Sequence, residues 1–245
     1  MTNMYQVKIS ADCRYGDWIA ALDKYFKPRL KNAGGISAAF SEHGRVSLSV
    51  AGENVNRHAL NELIKAGVTE IFTTVVKMRY ISERLKRNNL SDKTYRLLLH
   101  TLVAFDRECE YEILGKLITS GADINLDGWY NFRIGSLKKR WDEISVLTSE
   151  NSLYLNNESN LNELLRFLIS AVNPKIMRLE IAETPEGFTM RGEPGKGLLD
   201  IHGLTNEQLL LYLIDLAPIE LVIRGDISDR SLDIRLRELF DAKGI

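Results

Sequence analysis

The residue types that do chemistry occur in this chain, but not at the spacings chemistry needs. His43, His58, His100 and His202 are scattered, and none lies at ligand spacing from another histidine or from a cysteine. His100 and Cys109 fall within one expected helix, but about two and a half turns apart and on different faces. No zinc site is expected. The run Gly192-Glu-Pro-Gly-Lys-Gly197 invites comparison with a phosphate loop. Its glycine spacing is wrong, no hydroxyl residue follows Lys196, and it reads as a turn joining two strands. There is no Gly-x-Ser-x-Gly elbow for a nucleophile. Glu108, Glu110 and Glu112 stand two apart on a helix, so they face different ways and cannot share a proton. They read as solvated surface. No catalytic residue, cofactor or metal is expected.

Positive side chains beside aromatic ones are the more promising pattern. Lys77, Arg79, Arg84, Lys86, Arg87, Lys93 and Arg96 face only Glu83 and Asp92 in the same stretch. Arg133, Lys138, Lys139 and Arg140 form a second cluster, with Tyr130, Phe132 and Trp141 interleaved. Such mixtures make an anionic contact: a nucleic-acid backbone, a phospholipid or an acidic partner. Arg79, Arg84, Lys86, Arg87, Arg133, Lys138, Lys139 and Arg140 are therefore the candidate anion-binding residues. The competing reading is a set of solvated helix faces, with Trp129, Phe132 and Leu137 at the spacing of a core stripe. Asp127, just before Gly128, reads as a helix N-cap.

The whole chain narrows the setting. Its 245 residues are 44% hydrophobic and 27% charged, enough for a sizeable core. A net charge of −1 gives no global field for nucleic acid or an anionic membrane. Residues 180–245 carry −6, which leaves +5 on residues 1–179. The two cysteines, Cys13 and Cys109, form no disulfide framework, so a reducing cytoplasm is expected. The first residues lack the pattern of a secretion signal. The greasiest window, Leu209 to Ile223, is interrupted by Asp215, Pro218 and Glu220, so no transmembrane segment is expected.

Elements that must position these residues follow from periodicity. Tyr5–Ser10 reads as a strand, and Asp17–Lys31 as a helix with Trp18, Ile19, Leu22, Tyr25, Phe26 and Leu30 on its apolar stripe. Ile36–Phe40 and Val46–Val50 flank His43-Gly44 as a hairpin. Residues 54–86 read as one long helix or two joined near Gly67. Ser91 caps a helix expected from Asp92 to about Ile118, and another is expected from Trp129 to Leu147. Ser159 is expected to cap a helix from Asn160 to Val172. After Pro174 the period becomes two, giving strands Ile176–Ile181, Gly187–Arg191 and Leu198–Ile201. Thr205 caps a helix to Leu216, Ile219–Ile223 is a strand, and Ser228 caps a last helix that Gly244 ends. The expected class is α+β: a central antiparallel helical bundle with an N-terminal β-α-β-β unit and a C-terminal β-β-β-α-β-α unit. Expected divisions are 1–52, 53–173 and 174–245, with one compact domain overall as the alternative.

Three blocks carry a family resemblance. Ile124-Asn-Leu-Asp-Gly-Trp-Tyr-Asn-Phe-Arg133 opens a basic helix, Asn160-Leu-Asn-Glu-Leu-Leu-Arg-Phe-Leu-Ile169 is a second helix, and Leu209 to Ile223 is a helix, Ala-Pro turn and strand. In order and spacing these blocks resemble the YtxC-like family of sporulation proteins. The resemblance implies a cytoplasmic role around sporulation, no known catalytic activity, and Arg133 as the polar residue to carry over. The expected function is that of a non-enzymatic interaction protein with a protein partner. The alternatives are a nucleic-acid-binding protein using the same basic helical face, and an enzyme with an unfamiliar site around Asp127 and Arg133.

Overall fold

A computed structural model describes residues 4–32, 35–53, 56–85, 90–118, 123–150, 155, 157–192 and 199–244. It is a mixed α+β protein with two mixed sheets. Contacts group the chain into two units: residues 1–83 with 108–143, and residues 84–107 with 144–245. The helices of the 53–173 stretch are therefore divided between the two units.

The first unit is built on a sheet of order β2-β3-β1-β4, from β1 (Met4–Asp12), β2 (Gly35–Glu42), β3 (Arg45–Glu53) and β4 (Asp123–Asn125). β2 and β3 form the expected hairpin. His43 and Gly44 both take positive φ, 49° and 74°, as a tight two-residue turn requires. β4 lies parallel to β1. Period-two alternation sends Val7, Ile9 and Ala11 of β1 and Leu48 and Val50 of β3 inward. They meet the buried stripe Trp18, Ile19, Leu22, Phe26 and Leu30 of α1 (Gly16–Asn32). The opposite face of the sheet, with Gln6 and Lys8, is open.

α2 (Arg57–Ile71) starts at Asn56, whose side chain accepts from the amides of His58 and Ala59. It does not break at Gly67. Gly67 is there for proximity: a Cβ would lie 2.6 Å from Phe26 of α1. The irregularity comes later, as a π-helical turn over Phe72–Val76 that leads into α3 (Lys77–Ser82). Thr73 and Thr74 both donate back to the Glu70 carbonyl, and Thr73 also to that of Thr69. Hydroxyls competing for the helix's own acceptors accompany such widened turns.

Two expected helices are each broken. The Asp92–Ile118 helix is α4 (Asp92–Ala104) and α5 (Arg107–Leu117), because Asp106 turns left-handed at φ 60°. Asp tolerates that conformation better than most residues, so the break was within reach of the sequence. The Trp129–Leu147 helix is α6 (Leu126–Phe132) and α7 (Gly135–Glu150), separated at Arg133-Ile134. α6 begins at Asn125, whose side chain accepts from the Gly128 amide at 3.1 Å. Asp127 is consequently not the cap.

The second unit has a sheet of order β7-β6-β5-β8-β9, from β5 (Arg178–Thr184), β6 (Gly187–Gly192), β7 (Asp200–Leu204), β8 (Glu220–Arg224) and β9 (Lys243–Gly244). β5, β6 and β7 are antiparallel neighbours, while β5-β8 and β8-β9 are parallel. Parallel pairs need crossovers, and α9 (Asn206–Leu216) and α10 (Arg230–Phe240) supply them. Thr205 and Gln208 form a reciprocal capping box at the start of α9. Asn157, not Ser159, caps α8 (Glu158–Ser170), and Asp229, not Ser228, caps α10. The Ser228 amide instead donates to Glu183. α10 ends at Phe240 with Asp241 left-handed, and Gly244 belongs to β9. Residues 193–198, most of the glycine-rich run, lie outside the described residues.

In this unit α4 packs on α9, and His100 Nε2 lies 3.2 Å from Asp215 Oδ1. Burial pushes the Asp215 carboxyl up, but His100, through that contact and its charge, together with Lys175 and Arg107, outweighs burial and holds it below the usual value. A lowered folded value stabilises above the unfolded value of 3.8 and loses that contribution as pH falls below it. Asp215→Asn should therefore weaken the fold at neutral pH and flatten the loss of stability below about pH 4, read from urea midpoints at pH 7 and pH 3. In the first unit, Gly67→Ala sets a helix-propensity gain of about 1 kcal/mol against overpacking of about 1–3 kcal/mol. With Phe26 fully buried the second effect wins, so the urea midpoint should fall.

Candidate functional site

The site that attracts notice is the corner between α6 and α7 in the first unit. It is held from below by Arg45, the first residue of β3. Arg45 Nη2 reaches Asp127 Oδ1 at 2.8 Å, Asn125 Oδ1 at 3.1 Å and Ser10 Oγ at 3.3 Å. Asp127 also accepts from the Asp12 amide at 3.1 Å. The residue read as a cap is thus the anchor that fixes the β4–α6 junction to the sheet. Next to it, Asp12 accepts from the Arg14 amide and from its guanidinium, which hold the Asp12 carboxyl below the usual range.

Aromatic rings carry the corner. Tyr130 lies 5.3 Å from Trp18, 5.9 Å from Tyr15 and 6.4 Å from Tyr80 between ring centroids, and Tyr15 stacks on Trp18 at 4.1 Å. Tyr80 meets Trp141 edge to face at 5.4 Å and donates to the Asp142 carboxylate. Cations lie on these rings: Lys138 Nζ sits 3.6 Å from the Tyr130 centroid, and the Arg133 guanidinium 5.3 Å from that of Trp129. Phe132, at the end of α6, is 87% exposed.

Underneath is an ion pair that the sequence did not announce. Lys77 Nζ and Glu110 Oε1 are 2.7 Å apart, with side chains only 1% and 2% exposed. Trp141 Nε1 donates to the same oxygen at 2.7 Å. Lys77 follows the π turn, Glu110 comes from α5 and Trp141 from α7, so the carboxylate joins three helices. By sequence Lys77 belongs to the basic pattern, open to an anionic partner or to solvent, and Glu110 to a solvated acidic trio; the structure buries both. Only Glu108 and Glu112 of that trio are exposed. A signal was present: Glu110 stands four residues before the buried Leu114, and Lys77 four before the buried Ile81. Each is a charge placed on an apolar stripe.

The anticipated basic face is divided. Arg79 is committed within the molecule, to Asp17 at 3.6 Å, Glu83 at 3.3 Å, the Arg14 carbonyl at 3.0 Å and the Tyr15 ring. Arg84 is exposed and groups with the second unit. Lys86 and Arg87 lie outside the described residues. Arg140 donates to the Cys109 sulfur at 3.1 Å. Arg133, Lys138 and Lys139 remain together at the corner. The expected core stripe also divides, since Leu137 is fully buried while Phe132 points to solvent.

Among the described residues no cluster of three or more His, Cys, Asp or Glu side chains could hold a metal. No described helix is long and apolar enough to cross a membrane. Two open cavities, about 780 and 450 Å³, lie in the second unit around the starts of α9 and α10. Five of their six acids have local partners: Asp229 caps α10 and accepts from Asn206, Glu183 accepts from the Ser228 amide, Glu207 pairs with Arg96, Glu158 pairs with Arg235, and Glu238 accepts from Asn162. Comparison of the chain with protein-family models, curated proteins and solved structures returns no match.

Breaking one half of a buried pair strands the other charge and costs about 3–5 kcal/mol, whereas removing both does not. Lys77→Met and Glu110→Gln should each lower stability by about that amount. Glu110→Gln leaves an acceptor for Trp141, so the double variant should recover more than half of the summed loss in a urea double-mutant cycle. Simple additivity would show that the two charges are not coupled.

Proposed function

We propose that the protein is a non-catalytic cytoplasmic interaction protein acting around sporulation, as the YtxC-like resemblance implies, and that the α6–α7 corner docks an acidic protein partner. One observation carries the reading: Phe132 is almost wholly exposed on a corner that is tied down by ring and ion-pair contacts on both sides. A large aromatic group in water is a site for contact, and rigid aromatic anchors dominate protein interfaces. Arg133 and Lys139 flank it as exposed cations.

The start of α7 supports an acidic partner. A helix N-terminus is electropositive, and proteins usually place acids in its first turn. α7 has none there, and Lys138, Lys139 and Arg140 follow at once. The electropositive start of α7 and the exposed Lys139 both favour an incoming carboxylate. Arg79 is no part of this face, because its partners are internal.

Phe132→Ala combined with Arg133→Glu and Lys139→Glu should abolish recovery of the partner when immobilised protein is exposed to extract from sporulating cells. The melting temperature should not change, since all three residues are exposed. Recovery equal to the wild type would remove this face from consideration. The same variants should be set against labelled single-stranded RNA and duplex DNA pools. A shift that falls steeply with salt, and disappears in the triple variant, would replace the protein partner by nucleic acid.

A further inference from the structure

β2 is one edge of the first sheet and β4 the other. Among the described residues nothing pairs with the outer side of β2. Exposed edges invite pairing with another chain, and proteins blunt them with lysine, proline, bulges or shortness. The other described edges follow that rule. β4 has three residues and carries Asp123, and β9 has two. β7 has five, with Asp200 and His202, next to a register shift between Phe188 and Met190. β2 runs for eight residues, Gly-Ile-Ser-Ala-Ala-Phe-Ser-Glu, in unbroken register with β3. It has no proline, no lysine or arginine and no bulge.

The hairpin determines which backbone groups are free. In a two-residue turn the flanking residues, Glu42 and Arg45, exchange hydrogen bonds. Alternation then directs the amides and carbonyls of Phe40, Ala38 and Ile36 toward β3 as well, and those of Ser41, Ala39, Ser37 and Gly35 outward. Side chains alternate across the sheet in the same way. Ser37 bonds Asp23 of α1 at 2.8 Å, so the odd-numbered positions face the helix. Ile36, Ala38, Phe40 and Glu42 line the open face. Ile36 is 69% exposed there, and Phe40 39% with Lys8 over its ring.

We propose that β2 is a self-association edge: two copies of this chain pair antiparallel along Gly35–Glu42 about a two-fold axis at Ala38, joining their sheets into one continuous sheet. The strand is complementary to itself in that register. Ala38 meets Ala38 of the second copy. Ile36 falls opposite Phe40, and Phe40 opposite Ile36, at the non-hydrogen-bonded positions where side chains approach most closely. Ser37 falls opposite Ala39, and Gly35 opposite Ser41, so the outward amides and carbonyls form about eight hydrogen bonds. The face against α1 then carries only small side chains along the seam. Sliding the register by two residues would set Ile36 against Glu42. A closed two-fold uses the same patch on both copies, as most homodimers do. An edge this size makes a small interface, so association belongs to the weak class.

Sedimentation velocity of the full chain from about 1 μM to about 1 mM spans that class. It should show a reversible monomer–dimer equilibrium. Ile36→Lys alone and Phe40→Glu alone should each raise the dissociation constant at least about tenfold, with unchanged circular dichroism. Both substitutions in one chain should restore the dimer, because each new cation then faces a new anion across the axis. In a Cys13→Ser background, Ala38→Cys should form an inter-chain disulfide with oxidised glutathione. A monomer at every concentration would overturn the proposal. So would a dimer indifferent to Ile36→Lys, or the failure of Ala38→Cys to cross-link.

Discussion

A charge buried inside a protein must meet its opposite, and in this molecule that demand is made by Lys77. Its ammonium lies in the interior of the first unit with Glu110 at 2.7 Å, and Trp141 donates to the same carboxylate oxygen. An apolar contact between helices tolerates sliding, because dispersion is not directional. A buried ion pair with a shared indole does not, because a shift of an ångström or two would strand a charge. α3, α5 and α7 are thereby held in one relative register. The π turn over Phe72–Val76 belongs to the same arrangement, since one extra residue per turn rotates everything after it and so sets the direction in which Lys77 points.

The outer face of the unit follows from that interior. With Trp141 held by Glu110, Tyr80 meets it edge to face, Tyr130 joins Tyr80 and Trp18, and Lys138 lies on Tyr130. Arg45 and Asp127 hold the other side of the corner to the sheet. Between these two anchorages the chain breaks at Arg133-Ile134, and Phe132 is left outside. The exposed ring thus stands between two stretches that are held by contacts within the unit. The sheet beneath shows a related economy. One face is filled by α1, and the β2 edge combines backbone groups that no described strand pairs with the exposed side chains of Ile36 and Phe40.

Short-range features were legible in the chain itself. The β2–β3 hairpin follows from His43-Gly44, the buried stripe of α1 from its period, the α9 cap from Thr205 and Gln208, and the Ala217 turn from the Ala-Pro pair. Each depends on neighbours within a few residues. What was left open or misread shares a cause too. Gly67 leaves one long helix and two joined helices equally open by type, and what decides is its role as the space for Phe26. Asp127 was read as a cap by type and position, while its partner Arg45 is 82 residues away. The core-stripe alternative for Phe132 requires a helix continuous through residue 133, and the chain breaks there. Once the helix breaks, spacing measured across the break has no meaning.

What the amino-acid order determined alone was the class of the protein: α+β, with local helices, strands, caps and turns set by periodicity and by backbone preferences that act over a few residues. What the tertiary structure decided was which charges are inside and which rings are outside. Burial of Lys77 and Glu110, the anchoring of Asp127, the exposure of Phe132 and the free edge of β2 all depend on partners, present or missing, that are distant in the chain. Propensity does not sense those distances, whereas desolvation and pairing in three dimensions do.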